Sequence, residues 1–128
     1  MGLDAWFYAS EEKFITDPED AGAIVPVDEE AYKDPIEISY FRKFHPLQDY
    51  MEGLYYERGG GNSFNCLKLQ LDEHDLKILL EHTLTGALIT AYMNPDYILY
   101  YKTELLIIVH SALHLLKDGF TVYYDSWW

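Results

Sequence analysis

The sequence predicts an α+β fold: a small, mainly antiparallel sheet packed against about three helices, with a long acidic loop after the first strand. Short β-type runs lie at both ends of the chain, and segments with helical periodicity lie between them. A sheet covered by helices is the simplest way to bury all of these faces. The chain has 128 residues, of which 49% are hydrophobic, which is enough for one domain with its own core. We therefore expect residues 1–128 to form a single domain.

The predicted strands follow from alternation and from aromatic or β-branched content. In residues 3–9, Leu3, Ala5, Phe7 and Ala9 share one face, which indicates a buried strand. Further extended segments are predicted at 36–41, 64–71 and 120–127. In the strand at 64–71 we expect Phe64, Cys66 and Leu69 to be buried. The aromatic end Trp127-Trp128 is also expected to be packed, because two indoles in water forfeit apolar burial.

Three helices are predicted from apolar positions at helical spacing. The first covers residues 47–56. The second begins after Asp72, which forms a capping box with Asp75, and its apolar positions continue to Ala91. The third covers residues 97–118 and is apolar nearly all round, so we expect it to be central.

Negative charge is concentrated near the N-terminus. The first 35 residues hold ten acidic residues against two lysines, a formal charge of −8 out of −13 for the chain. Three prolines and a glycine lie among them between residues 10 and 35, so we expect a long acidic surface loop with little regular structure, either functional or disordered. Its candidate binding residues are Glu11, Glu12, Asp17, Glu19, Asp20, Asp28, Glu29 and Glu30.

This charge favours a protein partner with a basic surface. It repels nucleic acid and anionic membranes, so we expect neither as a direct partner. The leading hypothesis is a non-enzymatic binding protein whose residues 11–34 present carboxylates to that basic surface. In one version it is an inhibitor of the DNA-mimic type, with carboxylates in place of DNA phosphates. We expect no cofactor.

The alternative hypotheses rest on one basic and aromatic run, Tyr40-Phe41-Arg42-Lys43-Phe44-His45. In the structural interpretation, Arg42 and Lys43 pair with carboxylates of the acidic loop. In the functional one, a small enzyme or an anionic-ligand site uses this region. Its residues would be Glu37, Tyr40, Arg42, Lys43 and His45, with Asp4 or Asn65 added. A further alternative is a structural or self-assembling protein, such as a homodimer that buries the Trp127-Trp128 end.

No catalytic or metal-binding signature stands out. His110 and His114 are four residues apart, but the zinc-protease pattern needs Glu where Ser111 stands, so we expect no metal site. A metal site in which His74 and His82 of the preceding helix join His110 and His114 remains an alternative hypothesis. A single cysteine fits a reducing compartment, and the first residues lack the regions of a signal peptide, so a cytoplasmic protein is expected.

Four short motifs point to a known family. They are Met1-Gly2-Leu3-Asp4, Glu37-x-x-Tyr40-Phe41-Arg42-Lys43, Asn65-Cys66 and Tyr124-Asp125-Ser126-Trp127. In these motifs the chain resembles an uncharacterised family of small bacteriophage and prophage proteins, which begin Met-Gly-Leu-Asp, contain Tyr-Trp-Arg-Lys and end on a Ser-Trp segment. Phe41 stands where the family tends to have Trp. The resemblance implies no activity, only a setting: an accessory phage protein made in the cytoplasm of the bacterial host.

Overall fold

A computed structural model describes residues 2–88 and 94–128 of the chain. The strands are β1 (Asp4–Ser10), β2 (Phe14–Asp17), β3 (Asp20–Pro26), β4 (Ile36–Arg42), β5 (Lys68–Gln70) and β6 (Thr121–Trp127). The helices are α1 (His45–Glu57), α2 (Glu73–Thr85) and α3 (Pro95–Lys117), with a short 3-10 helix at Glu29–Ala31. The six strands form one antiparallel sheet in the order β2-β3-β5-β6-β1-β4. The predicted α+β class is confirmed.

One face of the sheet forms the core with the helices. The predicted face of β1 is buried, with Ala5, Phe7 and Ala9 each at most 1% exposed. On the neighbouring strand β6, the ring of Tyr124 meets the ring of Phe7 edge-on, with 5.4 Å between centroids. Helix α1 buries Leu47, Gln48, Met51 and Tyr55 on its inner face. Alternation in the strands and helical spacing in α1 therefore converge on one core.

The expected acidic loop of residues 10–35 is in large part a β-hairpin. β2 pairs with β3, and the turn between them begins at Asp17, whose carboxylate accepts a hydrogen bond from the Glu19 N–H at 2.9 Å. Pro18 suits the second position of such a turn because its φ is already fixed there. The expectation of little regular structure was therefore wrong for residues 14–26, whereas residues 27–35 contain only the short 3-10 helix.

The sheet curls around its second face, which the helices do not cover. In the strand order, β1 and β2 are four strand spacings apart, about 19 Å in a flat sheet. Only residues 11–13 connect Ser10 to Phe14, and that stretch of chain spans at most about 14 Å. The sheet must therefore bend, and the ring of Phe14 on β2 lies 5.5 Å from the ring of Tyr123 on β6. The second face is concave as a result.

Helix α2 is shorter than its periodicity predicted. Its capping box forms as expected, with Asp72 and Asp75 each accepting a hydrogen bond from the other's backbone N–H. The helix ends at Thr85 because Gly86 takes up a left-handed φ of 78°. The predicted continuation to Ala91 reaches beyond the described residues.

Helix α3 lies at the surface and not at the centre of the fold, which corrects the prediction. Its inner face buries Leu105 and Val109, whereas Leu99 and Ile107 on its outer face are exposed. Within residues 2–88 and 94–128 the helices lie on one face of the sheet, and the outer side of α3 is open to solvent at these two residues. No helix in the described ranges has both the length and the apolar character that a bilayer span requires.

Cys66 is exposed, which corrects its predicted burial. The strand here is shorter than expected, and Cys66 lies before it with a left-handed φ of 59°. Its N–H donates to the Ser126 carbonyl at 2.7 Å. Phe64 and Leu69, predicted in the same segment, are buried.

The C-terminal tryptophans are hydrogen-bonded but not buried, contrary to the prediction. Trp127 is 59% exposed and Trp128 is 42% exposed. The indole N–H of Trp128 donates to the Phe64 carbonyl at 2.7 Å, and its backbone N–H donates to the Asn65 side chain at 3.0 Å. Polar contacts thus fix this end of β6 while both rings stay in contact with solvent.

Candidate functional site

Aromatic rings cross the concave face in a continuous row. Tyr40 on β4, Trp6 and Tyr8 on β1, Tyr123 on β6 and Phe14 on β2 follow one another, with centroid separations of 5.5, 6.3, 5.6 and 5.5 Å. Strand register accounts for the order, because Trp6 is opposite Tyr40 and Tyr8 is opposite Tyr123. Aromatic pairs at such distances contribute about 0.5–1.5 kcal/mol each beyond burial. We call these five rings the aromatic row.

Residues 27–35 pass in front of the Tyr8 and Tyr123 part of this row and border an open space of about 420 Å³, which we call the aromatic cleft. Its walls are Tyr8, Glu12, Pro26, Glu29, Tyr32, Pro35, Lys68, Tyr123 and Asp125. Two hydrogen bonds tie the passing segment to the connection between β1 and β2. The Val27 N–H donates to the Lys13 carbonyl at 2.9 Å, and the Lys33 N–H donates to the Glu12 carboxylate at 3.1 Å.

Asp125 is a half-buried carboxylate in this cleft. Its cross-strand neighbours are Lys68 on β5 and Trp6 on β1. The Lys68 ammonium lies 5.8 Å over the Tyr123 ring, and the ion pairs within 4.0 Å among the described residues do not include Lys68 with Asp125. Burial raises the pKa of Asp125, and the positive charge of Lys68 offsets this only in part. The Ser126 backbone N–H donates to this carboxylate, which is therefore partly desolvated and hydrogen-bonded to the backbone but not ion-paired within 4.0 Å among the described residues.

The tyrosines of the cleft stay protonated at neutral pH. Burial, and then the charges of Glu37 and Asp125, raises the pKa of Tyr8. Burial and then Asp125 raises the pKa of Tyr123. The negative charge of the cleft is thus supplied by its carboxylates, while the rings offer neutral aromatic faces and hydroxyl donors.

The predicted acidic binding residues have different environments. Glu12 and Glu29 line the aromatic cleft. Glu11, Glu19 and Glu30 are exposed, and Glu11 pairs with Lys33 at 3.3 Å. Glu19, Glu29 and Glu30 leave their carboxylates available to a partner, whereas Glu11 and Glu12 each have a contact with Lys33.

The predicted acidic aspartates support the backbone instead. Asp17 holds the hairpin turn, and the Asp28 carboxylate accepts from the Glu30 N–H at 3.0 Å to cap the 3-10 helix. Asp20 is buried, and it accepts hydrogen bonds from the Tyr55 hydroxyl at 2.6 Å and the Asn62 amide at 3.2 Å. Its burial removes Asp20 from the predicted binding surface.

The residues of the alternative ligand site do not converge on one pocket. Arg42 is exposed opposite Asp4, and Asp4 accepts a hydrogen bond from the Tyr40 hydroxyl. Lys43 is exposed in a turn with a φ of 58°. His45 starts α1 and lines a separate cleft beside Trp128. Glu37 lies opposite Tyr8, near the other end of β4, and Asn65 binds Trp128.

The pairing proposed between this basic run and the acidic loop is not formed. The hairpin and β4 occupy opposite edges of the sheet order. Over residues 2–88 and 94–128, neither Arg42 nor Lys43 has an ion pair within 4.0 Å. Phe41 and Phe44, which flank this pair in the sequence, are buried and pack together with 5.2 Å between ring centroids. The buried aromatic residues of this run thus serve the core, and its basic residues face solvent.

The histidines of α3 are exposed. The His114 imidazole lies 3.5 Å from the Asp118 carboxylate, one helical turn on. Among the described residues, no three His, Cys, Asp or Glu side chains are grouped closely enough to hold a metal ion.

No protein-family model, curated protein or solved structure matches this chain. The chemistry of the cleft consequently rests on its own residues, none of which is a serine, cysteine or histidine. Aromatic faces with carboxylates beside them bind cations in preference to anions. Tyr8, Tyr32, Lys68, Tyr123 and Asp125 were not among the candidates that the sequence supplied.

Proposed function

We propose that the protein is a non-enzymatic acidic binding protein that engages a basic surface of another protein. The observation that carries the proposal is the position of the acidic segment beside the aromatic cleft. The hairpin and residues 27–35 border the concave face, and Glu12 and Glu29 open into the cleft itself. The carboxylates that would attract a basic partner and the aromatic rings that would contact it therefore lie next to each other on one side of the molecule.

Electrostatics gives this surface a preference for basic partners. Residues 1–35 carry a formal charge of −8, which already includes Lys33, the lysine that pairs with Glu11. A positive surface on a partner would relieve the repulsion and speed association, an effect that falls with ionic strength.

Aromatic residues suit the contact itself. Tyrosine and tryptophan are enriched in protein interfaces because they combine a large apolar area with a polar group. Tyr32 lies within the acidic segment and is exposed, and Tyr40 and Trp6 keep part of their surface accessible farther along the aromatic row. Their position supports a protein partner over a small ion.

The narrower form of the proposal places the protein among phage accessory proteins that act on a host protein in the bacterial cytoplasm, as an inhibitor of the DNA-mimic type. Mimicry of phosphates needs carboxylates held on an ordered backbone. The pairing of β2 with β3 and the Asp17 turn supply such a backbone for Glu19 and its neighbours.

The test is a pull-down from bacterial lysate at low and moderate salt with two charge-matched variants. The first changes five glutamates of the acidic segment, Glu11, Glu12, Glu19, Glu29 and Glu30, to Gln, which at position 12 keeps a side-chain oxygen that can accept the Lys33 N–H. Asp17, Asp20 and Asp28 are kept because they support the fold. The control changes five glutamates on the helices, Glu52, Glu57, Glu73, Glu81 and Glu104, to Gln.

We expect the native protein and the helix variant to retain a stoichiometric basic partner that the acidic-segment variant loses. Retention should weaken as salt increases. Equal retention by both variants, or no salt-sensitive partner at all, would reject the acidic segment as the binding surface. Circular dichroism of each variant checks that the fold is intact.

A further inference from the structure

The aromatic cleft has the size and lining to receive one cationic side chain. Its volume is about 420 Å³, and the rings of Tyr8, Tyr32 and Tyr123 form part of its walls. Aromatic faces attract cations through their quadrupole. The chain itself uses this attraction, since the Lys68 ammonium lies 5.8 Å from the centre of the Tyr123 ring.

Asp125 supplies the matching charge. The carboxylate is half-buried, and its donor among the described residues is the Ser126 backbone N–H, with no side-chain donor beside it. A half-buried carboxylate with one backbone donor and no cation in an ion pair is incompletely compensated for the water it loses. A ligand that brings both positive charge and N–H donors into the cleft removes this cost, so the gain is specific to a hydrogen-bonding cation.

A guanidinium group meets these requirements better than an ammonium group. It is planar and weakly hydrated, it binds a carboxylate through two parallel N–H donors, and it stacks on aromatic rings. An ammonium group is more strongly hydrated and forms no such fork. The cleft combines aromatic walls with a partly desolvated carboxylate. Both features favour the weakly hydrated, fork-shaped guanidinium over the more strongly hydrated ammonium group.

We propose that the aromatic cleft receives one arginine side chain of the basic partner, with the guanidinium paired to Asp125 and packed against the tyrosine rings. This inference rests on the proposed function, because it names the side chain that the basic surface inserts. The surrounding glutamates steer the partner, and the cleft selects arginine over lysine.

The positive charge of Lys68 should weaken the binding of an arginine side chain in this cleft. Its ammonium is the one positive group among the nine residues that line the cleft, so it opposes an incoming guanidinium. Removal of its charge should therefore strengthen arginine binding, whereas removal of the Asp125 charge should weaken it. A merely structural role for the two residues would not produce effects of opposite sign.

The test uses three capped tripeptides, Gly-Arg-Gly, Gly-Lys-Gly and Gly-citrulline-Gly, titrated into the full chain at low salt. Citrulline has the shape of arginine without its charge. The readout is the NMR shift of the Tyr8, Tyr32 and Tyr123 ring resonances. The variants are Asp125→Asn, Lys68→Gln and, as a charge-matched control, Asp49→Asn on the exposed side of α1.

We expect the arginine peptide to shift these rings saturably, with at least threefold weaker binding for lysine and none for citrulline. Asp125→Asn should weaken the arginine peptide about tenfold, Lys68→Gln should strengthen it, and Asp49→Asn should leave it within twofold. Equal binding of lysine or citrulline, shifts away from these rings, or insensitivity to Asp125→Asn would overturn the inference. If the five-glutamate variant still loses its partner in that case, the proposed function stands and only the arginine assignment falls.

Discussion

Replacement of Tyr55 by phenylalanine should loosen the attachment of the acidic hairpin to the rest of the fold. The Tyr55 hydroxyl donates to the Asp20 carboxylate at 2.6 Å and accepts the Asn62 N–H at 3.0 Å. The Asn62 amide and the Gly22 N–H each donate to the same carboxylate at 3.2 Å. One hydroxyl thus joins β3, α1 and the glycine-rich loop that follows α1.

The expected loss of stability follows from the two hydrogen-bonding groups that lose their partner when the Tyr55 oxygen is removed. A hydrogen bond to a charged group contributes about 1.5–3 kcal/mol, and the Asn62 N–H also loses its acceptor. We expect Tyr55→Phe to lower the free energy of unfolding by about 2–3 kcal/mol at pH 7, which for this size lowers the Tm by roughly 6–12 °C. The matched control is Tyr56→Phe, because that neighbouring ring is 49% exposed and its loss should cost little.

The loss should also depend on pH. Burial raises the pKa of Asp20, but the hydrogen bonds from Tyr55, Asn62 and the backbone outweigh it and lower the pKa below the usual 3.8. A depressed pKa adds stability above the unfolded-state value, and that stability is lost as the pH falls through the folded-state value. Urea denaturation at pH 7 and below pH 4 should therefore show a smaller difference between wild type and Tyr55→Phe in acid. An equal loss at both pH values, or an equal loss in Tyr56→Phe, would refute the reasoning.

Three further substitutions and one chemical reaction test the packing, the helix cap and the cysteine exposure of the fold. Gly60→Ala should lower the free energy of unfolding by about 1–3 kcal/mol because the new Cβ would overlap the Tyr55 ring. Gly53→Ala in α1 meets open space and should raise the free energy of unfolding by about 0.5–1 kcal/mol. Urea denaturation measures both changes. Asp72→Ala should cost about 1 kcal/mol, and less in acid, since the Asp75 N–H lowers the pKa of Asp72; a pH-independent loss would contradict this. Cys66 should react with a thiol reagent in the native state, and protection until global unfolding would contradict its exposure.

The core could be predicted from the sequence because its periodicity is local. Alternation in β1 and the capping box of α2 are each visible within a few residues, and both are confirmed. The hairpin was missed because acidic residues and prolines outweighed two short β-type runs in residues 14–16 and 23–25. The turn signal at Asp17-Pro18 between those runs was the feature that could have identified it.

The cleft could not be predicted because it depends on strand order. Trp6 and Tyr8 occupy the positions of β1 that the core face leaves free, and so do Tyr123 and Asp125 on β6 in the same sheet. Nothing within either strand indicates that the sheet curls or that residues 27–35 pass in front of it. Aromatic residues on both faces of β1 were the available signal, since a strand with one solvated face usually alternates with polar residues.

The spacing of charges along the aromatic row restricts what can cover it. Asp125 lies opposite Trp6, and Asp4 lies two residues from Trp6 on β1, so one carboxylate is about 5 Å from this ring position across the strands and another is about 7 Å away along β1. An apolar partner would bury these carboxylates without a compensating positive charge, which is costly. Nucleic-acid bases stack on such rings, but their phosphates would meet a chain of net charge −13. A partner that supplies positive charge and flat groups at the same spacing avoids both penalties, and a basic protein segment rich in arginine has this chemistry.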